Sequence, residues 1–132
     1  MNLGEEILDV IESIRADVGA FAESRKYHLI SYDTEPDLIP RFPAIAYFIS
    51  AISTSPSALS CGSTYEFSAT IVLYKKLPLS GEPQPDEEVA DIINYFVTKG
   101  YEVSAIGMED SSVGSSLLRR AEISIKLSKL MQ

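Results

Sequence analysis

The sequence predicts an α+β fold: a single, mostly antiparallel sheet of four to five strands with two helices packed on it. Residues 64–75 alternate, with Tyr65, Phe67, Ala69, Ile71 and Leu73 at every second position and Glu66, Ser68 and Thr70 between them. That is the period of a strand with one buried face. The same alternation returns near the end of the chain, where Ala121, Ile123, Ile125 and Leu127 interleave with Glu122, Ser124, Lys126 and Ser128. Two half-buried strands so far apart imply one sheet that spans the chain. The elements run helix, weak strand, strand, strand, helix, strand, strand, whereas a parallel sheet would need strict βαβ alternation.

The first helix is predicted over residues 3–24. Leu3, Ile7, Val10, Ile11, Ile14, Val18 and Phe21 recur at spacings of three and four, which makes one apolar stripe to lie on the sheet. Glu5, Glu6 and Asp9 stand in its first turns, where acids oppose the positive end of the helix dipole. Residues 25–32 supply a short strand, and the prolines and acids of 33–40 read as an irregular loop. The run 41–49, Arg-Phe-Pro-Ala-Ile-Ala-Tyr-Phe-Ile, is apolar at nearly every position, as expected of a strand covered on both faces. Pro43 lies near its start, where a lost donor is tolerated.

The small residues of 50–63 are expected to form a loop leading to the central strand over 64–75, and the Pro- and Gly-bearing stretch 77–85 a turn-rich connection. The second helix is predicted over 87–99, with Val89, Ile92, Ile93, Phe96 and Val97 on one face, Asp86 as its cap and Gly100 as a left-handed stop. Residues 101–106 alternate as a strand and 121–130 close the sheet. Between them 107–120 is polar and carries two glycines, and is expected to be a long hairpin arm or loop, not regular throughout.

At 132 residues and 45% hydrophobic composition, the chain suits one domain, able to bury roughly two-thirds of its unfolded surface. Nineteen acidic residues against eleven basic give a net charge of −8, a field that repels phosphate backbones and anionic lipid. Acidity of this kind keeps a protein in solution, and it also suits a surface past which DNA moves without sticking. No apolar run is long enough to span a bilayer, and the acidic amino terminus lacks the positive charge of a signal peptide. The expectation is a soluble cytoplasmic protein, and the single cysteine, Cys61, agrees with a reducing compartment.

No catalytic pattern emerges. His28 is the only histidine, and no motif links it to Cys61 or to a serine. The carboxylate pairs Glu5/Glu6 and Glu87/Glu88 lie at predicted helix starts, where the dipole accounts for them; Glu109/Asp110 lies on the polar arm. Gly107 and Gly114 make no phosphate-cradling spacing. Leu117-Leu118-Arg119-Arg120, two large apolar and two cationic residues at the end of that arm, has the composition of an interface anchor; an ordinary strand start with solvated arginines has the same sequence.

In length, in element order and at the strand start Phe42-Pro43-Ala44-Ile45, the chain resembles the tail terminator or tail-completion proteins of long-tailed bacteriophages. The resemblance covers nearly the whole chain, as one domain over 1–132. It implies a structural virion protein of the tail or neck, assembled in the host cytoplasm, without catalytic function, cofactor or membrane contact. Such proteins form a homo-oligomeric ring, usually of six subunits, that caps the tail tube, ends its elongation and joins head to tail. The implied partners are copies of itself, the tail tube protein and a neck or connector protein, with DNA passing through the lumen without sequence-specific binding. Neck and head-completion proteins are a neighbouring match. A closed ring needs a heterologous interface, and Leu117, Leu118, Arg119 and Arg120 are the candidates for one side of it, opposing acids on the next copy such as those of the first helix. Two further classes compete: a monomeric acidic module that masks a basic partner, as an inhibitor does, and a small enzyme acting through Cys61.

Overall fold

A computed structural model describes residues 2–56, 62–77, 86–113 and 116–131. Two helices, α1 (Leu3–Arg25) and α2 (Glu87–Thr98), accompany five strands, β1 (His28–Leu29), β2 (Ala44–Pro56), β3 (Ser63–Leu77), β4 (Glu102–Val113) and β5 (Ser116–Met131). The strands form one sheet in the order β1-β2-β3-β5-β4. All neighbours are antiparallel except β1, which pairs with β2 in parallel through His28↔Ala44 and Leu29↔Ile45. The fold is therefore α+β, with a mixed, mostly antiparallel sheet and β3 at its centre.

Both helices lie on one face. Ile14, Val18 and Phe21 of α1 and Val89, Ile92 and Phe96 of α2 meet Phe67, Ile71 and Leu73 of β3 and Ile123 and Ile125 of β5 in a single core. These are the positions that helical and strand periodicity place inward. Asn2 caps α1, its side-chain oxygen accepting from the Glu5 amide at 2.9 Å. Gly100, at φ +97°, follows α2 in the left-handed conformation that glycine adopts without strain.

Among the described residues the opposite face is covered at one end. A smaller cluster of Ile39, Ala44, Ala46, Val72, Tyr74 and Leu118, with Ile30, Phe42 and Phe48 packed against it, lies under the segment that joins β1 to β2. That segment contains a 3-10 turn, Pro36–Leu38, in the stretch expected to be irregular. The run 41–49 is thus buried on both faces at Ala44, Ile45 and Ala46, and half-buried at Tyr47, Phe48 and Ile49.

Two expected loops are largely strand. β2 continues past Ile49 to Pro56, pairing Ala51↔Ser68 through Pro56↔Ser63 after a bulge between Ile49 and Ala51. β4 continues to Val113 opposite β5, whose first residue is Ser116. Serine, alanine and glycine carry little apolar periodicity, but an adjacent strand satisfies their backbone groups, and that ladder extends both hairpins. Residues 57–61, with Cys61, and most of the 77–85 connection lie outside the described residues.

Asp86 departs from its expected role. Its side chain makes no capping hydrogen bond to α2; it faces two cations instead.

Candidate functional site

Lys75 on β3, Arg119 on β5 and Asp110 on β4 stand in one row across three strands, since Lys75 pairs with Arg119 and Asp110 with Arg119 in register. Two like charges directly opposite one another are destabilising. The start of α2 resolves this. Asp86 accepts from Arg119 Nη1 at 2.8 Å and lies 3.8 Å from Lys75 Nζ, while Glu88 pairs with Lys75 at 3.0 Å. On its other side the Arg119 fork binds Asp110 twice, Nε to Oδ1 at 2.8 Å and Nη2 to Oδ2 at 3.0 Å. These hydrogen bonds hold the Asp110 carboxyl below the usual carboxylate range and push the guanidinium of Arg119 further up, Asp110 acting first and Asp86 second.

The four residues of the predicted interface motif divide between the two faces, as alternate strand positions must. Leu118 is buried in the smaller cluster, and Arg120 lies on that same side, donating from Nε to the Tyr74 hydroxyl at 3.1 Å and from Nη1 to Glu122. Leu117 is half-buried and Arg119 turns to α2. Both arginines are thus answered by acids of their own chain. The tertiary partners Lys75, Asp86 and Glu88 were not singled out as a site from the sequence; the Lys75-Lys76 pair and the Asp86-Glu87-Glu88 run were the signals, but nothing in their spacing joins them.

Beside this network an open cleft of about 490 Å³ is lined by Ile39, Arg41, Phe42, Lys75, Lys76 and Glu88 among others. Lys76 Nζ stands 5.2 Å from the centre of the Phe42 ring. The lining offers three cations, the Glu88 carboxylate and apolar surface. His28 sits half-buried on β1, its backbone amide donating to the Pro43 carbonyl at 2.9 Å. Among the described residues no three His, Cys, Asp or Glu side chains gather as a metal site, and no helix is long and apolar enough to cross a membrane.

Away from the smaller cluster, the face opposite the helices is polar. Register places Glu66 and Ser68 of β3, Arg120, Glu122, Ser124 and Lys126 of β5, and Glu102, Gly107 and Glu109 of β4 on this side. Four acids face two cations there, with Lys126 Nζ 3.4 Å from Glu66.

No protein-family model matches this chain, and a search of curated proteins finds no match either.

Proposed function

We propose that the protein is a structural subunit of a phage-tail-terminator type, assembling head-to-tail into a ring, of six copies as the resemblance implies, that caps a tail tube and presents a joining surface to the head. The observation that carries this reading is the two-sided sheet. Helices and the main core occupy one face, while most of the other is small, polar and net acidic, built from Glu66, Ser68, Glu102, Glu109, Glu122 and Ser124 against Arg120 and Lys126. Turned inward, such a face makes a lumen wall that repels the phosphate backbone and lets DNA slide. The hairpins β2–β3 and β4–β5 give each subunit long arms for contact with its neighbours, and Leu117 and Arg120 lie on one of them. The same geometry serves a neck or head-completion ring, and the two differ in whether the ring captures tail tube or connector.

Native mass by light scattering after size exclusion, across concentration and at low and moderate salt, tests the reading. A closed species near six times 14.5 kDa, with a central hole in negative-stain images, is the expected result. A strict monomer at every concentration, with or without the tube protein, overturns it and moves the acidic binding module ahead, for which Glu5, Asp9 and Glu12 on the exposed side of α1 supply the surface.

A further inference from the structure

The sheet ends in two backbone edges that no described strand covers. β4 is last in the strand order, so no described strand pairs with its outer edge; β1 pairs with β2 only at Ala44 and Ile45, Ile30 and Tyr32 then lie beside β2 as far as Ile49, and no described strand pairs with the outer edge of Ala51–Pro56. Uncovered edges are templates for pairing, and proteins that keep them apart do so with lysine, proline, inward charge or a bulge. From Ala51 to Ser55, beyond its bulge, β2 carries none of these.

We infer that the outer edge of β4 in one copy pairs with the free edge of β2 in the next, so that the sheet runs continuously from subunit to subunit. The inference rests on the ring reading above and names its interface. Direction fits: β2, β3, β5 and β4 alternate, so β4 runs opposite to β2. A rotation about an axis along the strands preserves those directions, and the junction is antiparallel, the more stable pairing. Regularity fits as well, because each strand has one bulge, and Ala51–Pro56 and Ala105–Val113 hold unbroken register beyond it.

The side chains choose between possible edge pairings. Ile106 and Met108 on β4 are 46% and 52% exposed and Ile52 on β2 is 41% exposed. All three lie on the helix side, since they stand opposite the core residues Ile123, Ala121 and Phe67. Joining β4 to β2 brings them into one row on one face, where cross-strand apolar pairs form. On the other face the meeting residues are small, Ala51 and Ser53 against Ala105 and Gly107. A β4–β4 junction is isologous, so it closes at a dimer and leaves Ile52 in water. A β2–β2 junction would leave Ile106 and Met108 in water and close at a dimer.

The test is the Ile106→Lys/Met108→Lys double variant together with oxidative cross-linking. Both substituted side chains are exposed in the single chain, so at concentrations where both proteins are dissociated the melting curve of the variant is expected to match that of the wild type, while its dissociation concentration rises about tenfold or more through the loss of apolar cross-strand partners. In a Cys61→Ser background, Ile52→Cys with Ile106→Cys, or Ile52→Cys with Met108→Cys, is expected to cross-link into a ladder that stops at ring size. An oligomeric wild type with an equally oligomeric double variant, or dimers from Ile52→Cys alone, overturns this junction and leaves the ring reading standing. A wild type that never leaves the monomer overturns both.

Discussion

Replacing Arg119 by alanine removes three hydrogen bonds to two carboxylates at once. In an effective dielectric of about 20, unit charges about 4 Å apart attract by about 4 kcal/mol before desolvation and side-chain entropy are counted. The net is far smaller. The Asp110 side chain is 40% exposed, so its part is about 0.2–1 kcal/mol. Asp86 is 24% exposed and keeps only the longer contact to Lys75 in the variant, so its part is about 1–2 kcal/mol. Arg119→Ala is therefore expected to cost about 1–3 kcal/mol, and Asp110→Ala less than about 1 kcal/mol, because Arg119 retains Asp86. Arg119→Glu would crowd three carboxylates and cost more than alanine. Urea denaturation of the dissociated protein, with a double-mutant cycle over positions 119 and 110 and a repeat at high salt, measures each figure. An Arg119→Ala variant within about 0.5 kcal/mol of wild type, the range of featureless surface changes, would refute the idea that this network ties the start of α2 to the β4–β5 hairpin.

The network also predicts a pH response. Hydrogen bonding from Arg119 lowers the Asp110 carboxyl, and from Arg25 the Asp91 carboxyl. A carboxyl whose folded pKa lies below its unfolded one adds stability that is full above the unfolded value and lost as pH falls through the folded value. Wild type should lose stability as pH falls below about 4, and Arg119→Ala should flatten the part of that slope owed to Asp110. Both carboxylates are partly exposed, so the slope is shallow. For assembly experiments, charge reversal at Arg119 perturbs the subunit as well as any contact, and a melt of the variant has to accompany the mass measurement.

Phe21→Ala empties a fully buried site that Tyr27, Tyr95 and Phe96 surround; the expected loss is about 3–5 kcal/mol. For 132 residues that lowers the midpoint of thermal melting by about 10–18 °C, and a loss under about 1 kcal/mol would contradict the docking of α1. Tyr101→Phe removes the 2.7 Å hydrogen bond from its hydroxyl to Asp17 and is expected to cost about 1 kcal/mol. Burial first, and that carboxylate second, push the Tyr101 phenol well above its ordinary value. Wild type and Tyr101→Phe should then show the same rise in tyrosinate absorbance at about pH 11 while folded; a smaller rise in the variant would show that Tyr101 ionises freely.

Burial imposes a local period on a sequence, and where that period was strong the elements were legible. Both helices fell within a residue of their predicted ends, and the inward sets Phe67, Ala69, Ile71, Leu73 and Ala121, Ile123, Ile125 are core. Residues 50–54 and 107–112 have no such period, because they are exposed on both faces; they are extended since β3 and β5 lie alongside and accept their backbone hydrogen bonds. The parallel pairing of His28 and Leu29 with Ala44 and Ile45 likewise depends on how the intervening segment folds across the smaller cluster. At the candidate site the limit was the same. Arg119 and Arg120 could be picked out by charge and position, but their partners could not, for Asp86 is 33 residues from Arg119 and Tyr74 is 46 from Arg120. Periodicity reports which side of an element leaves water. Which charge meets which, and which strand edge stays open, is set by what the folded chain brings alongside, and no local pattern encodes it.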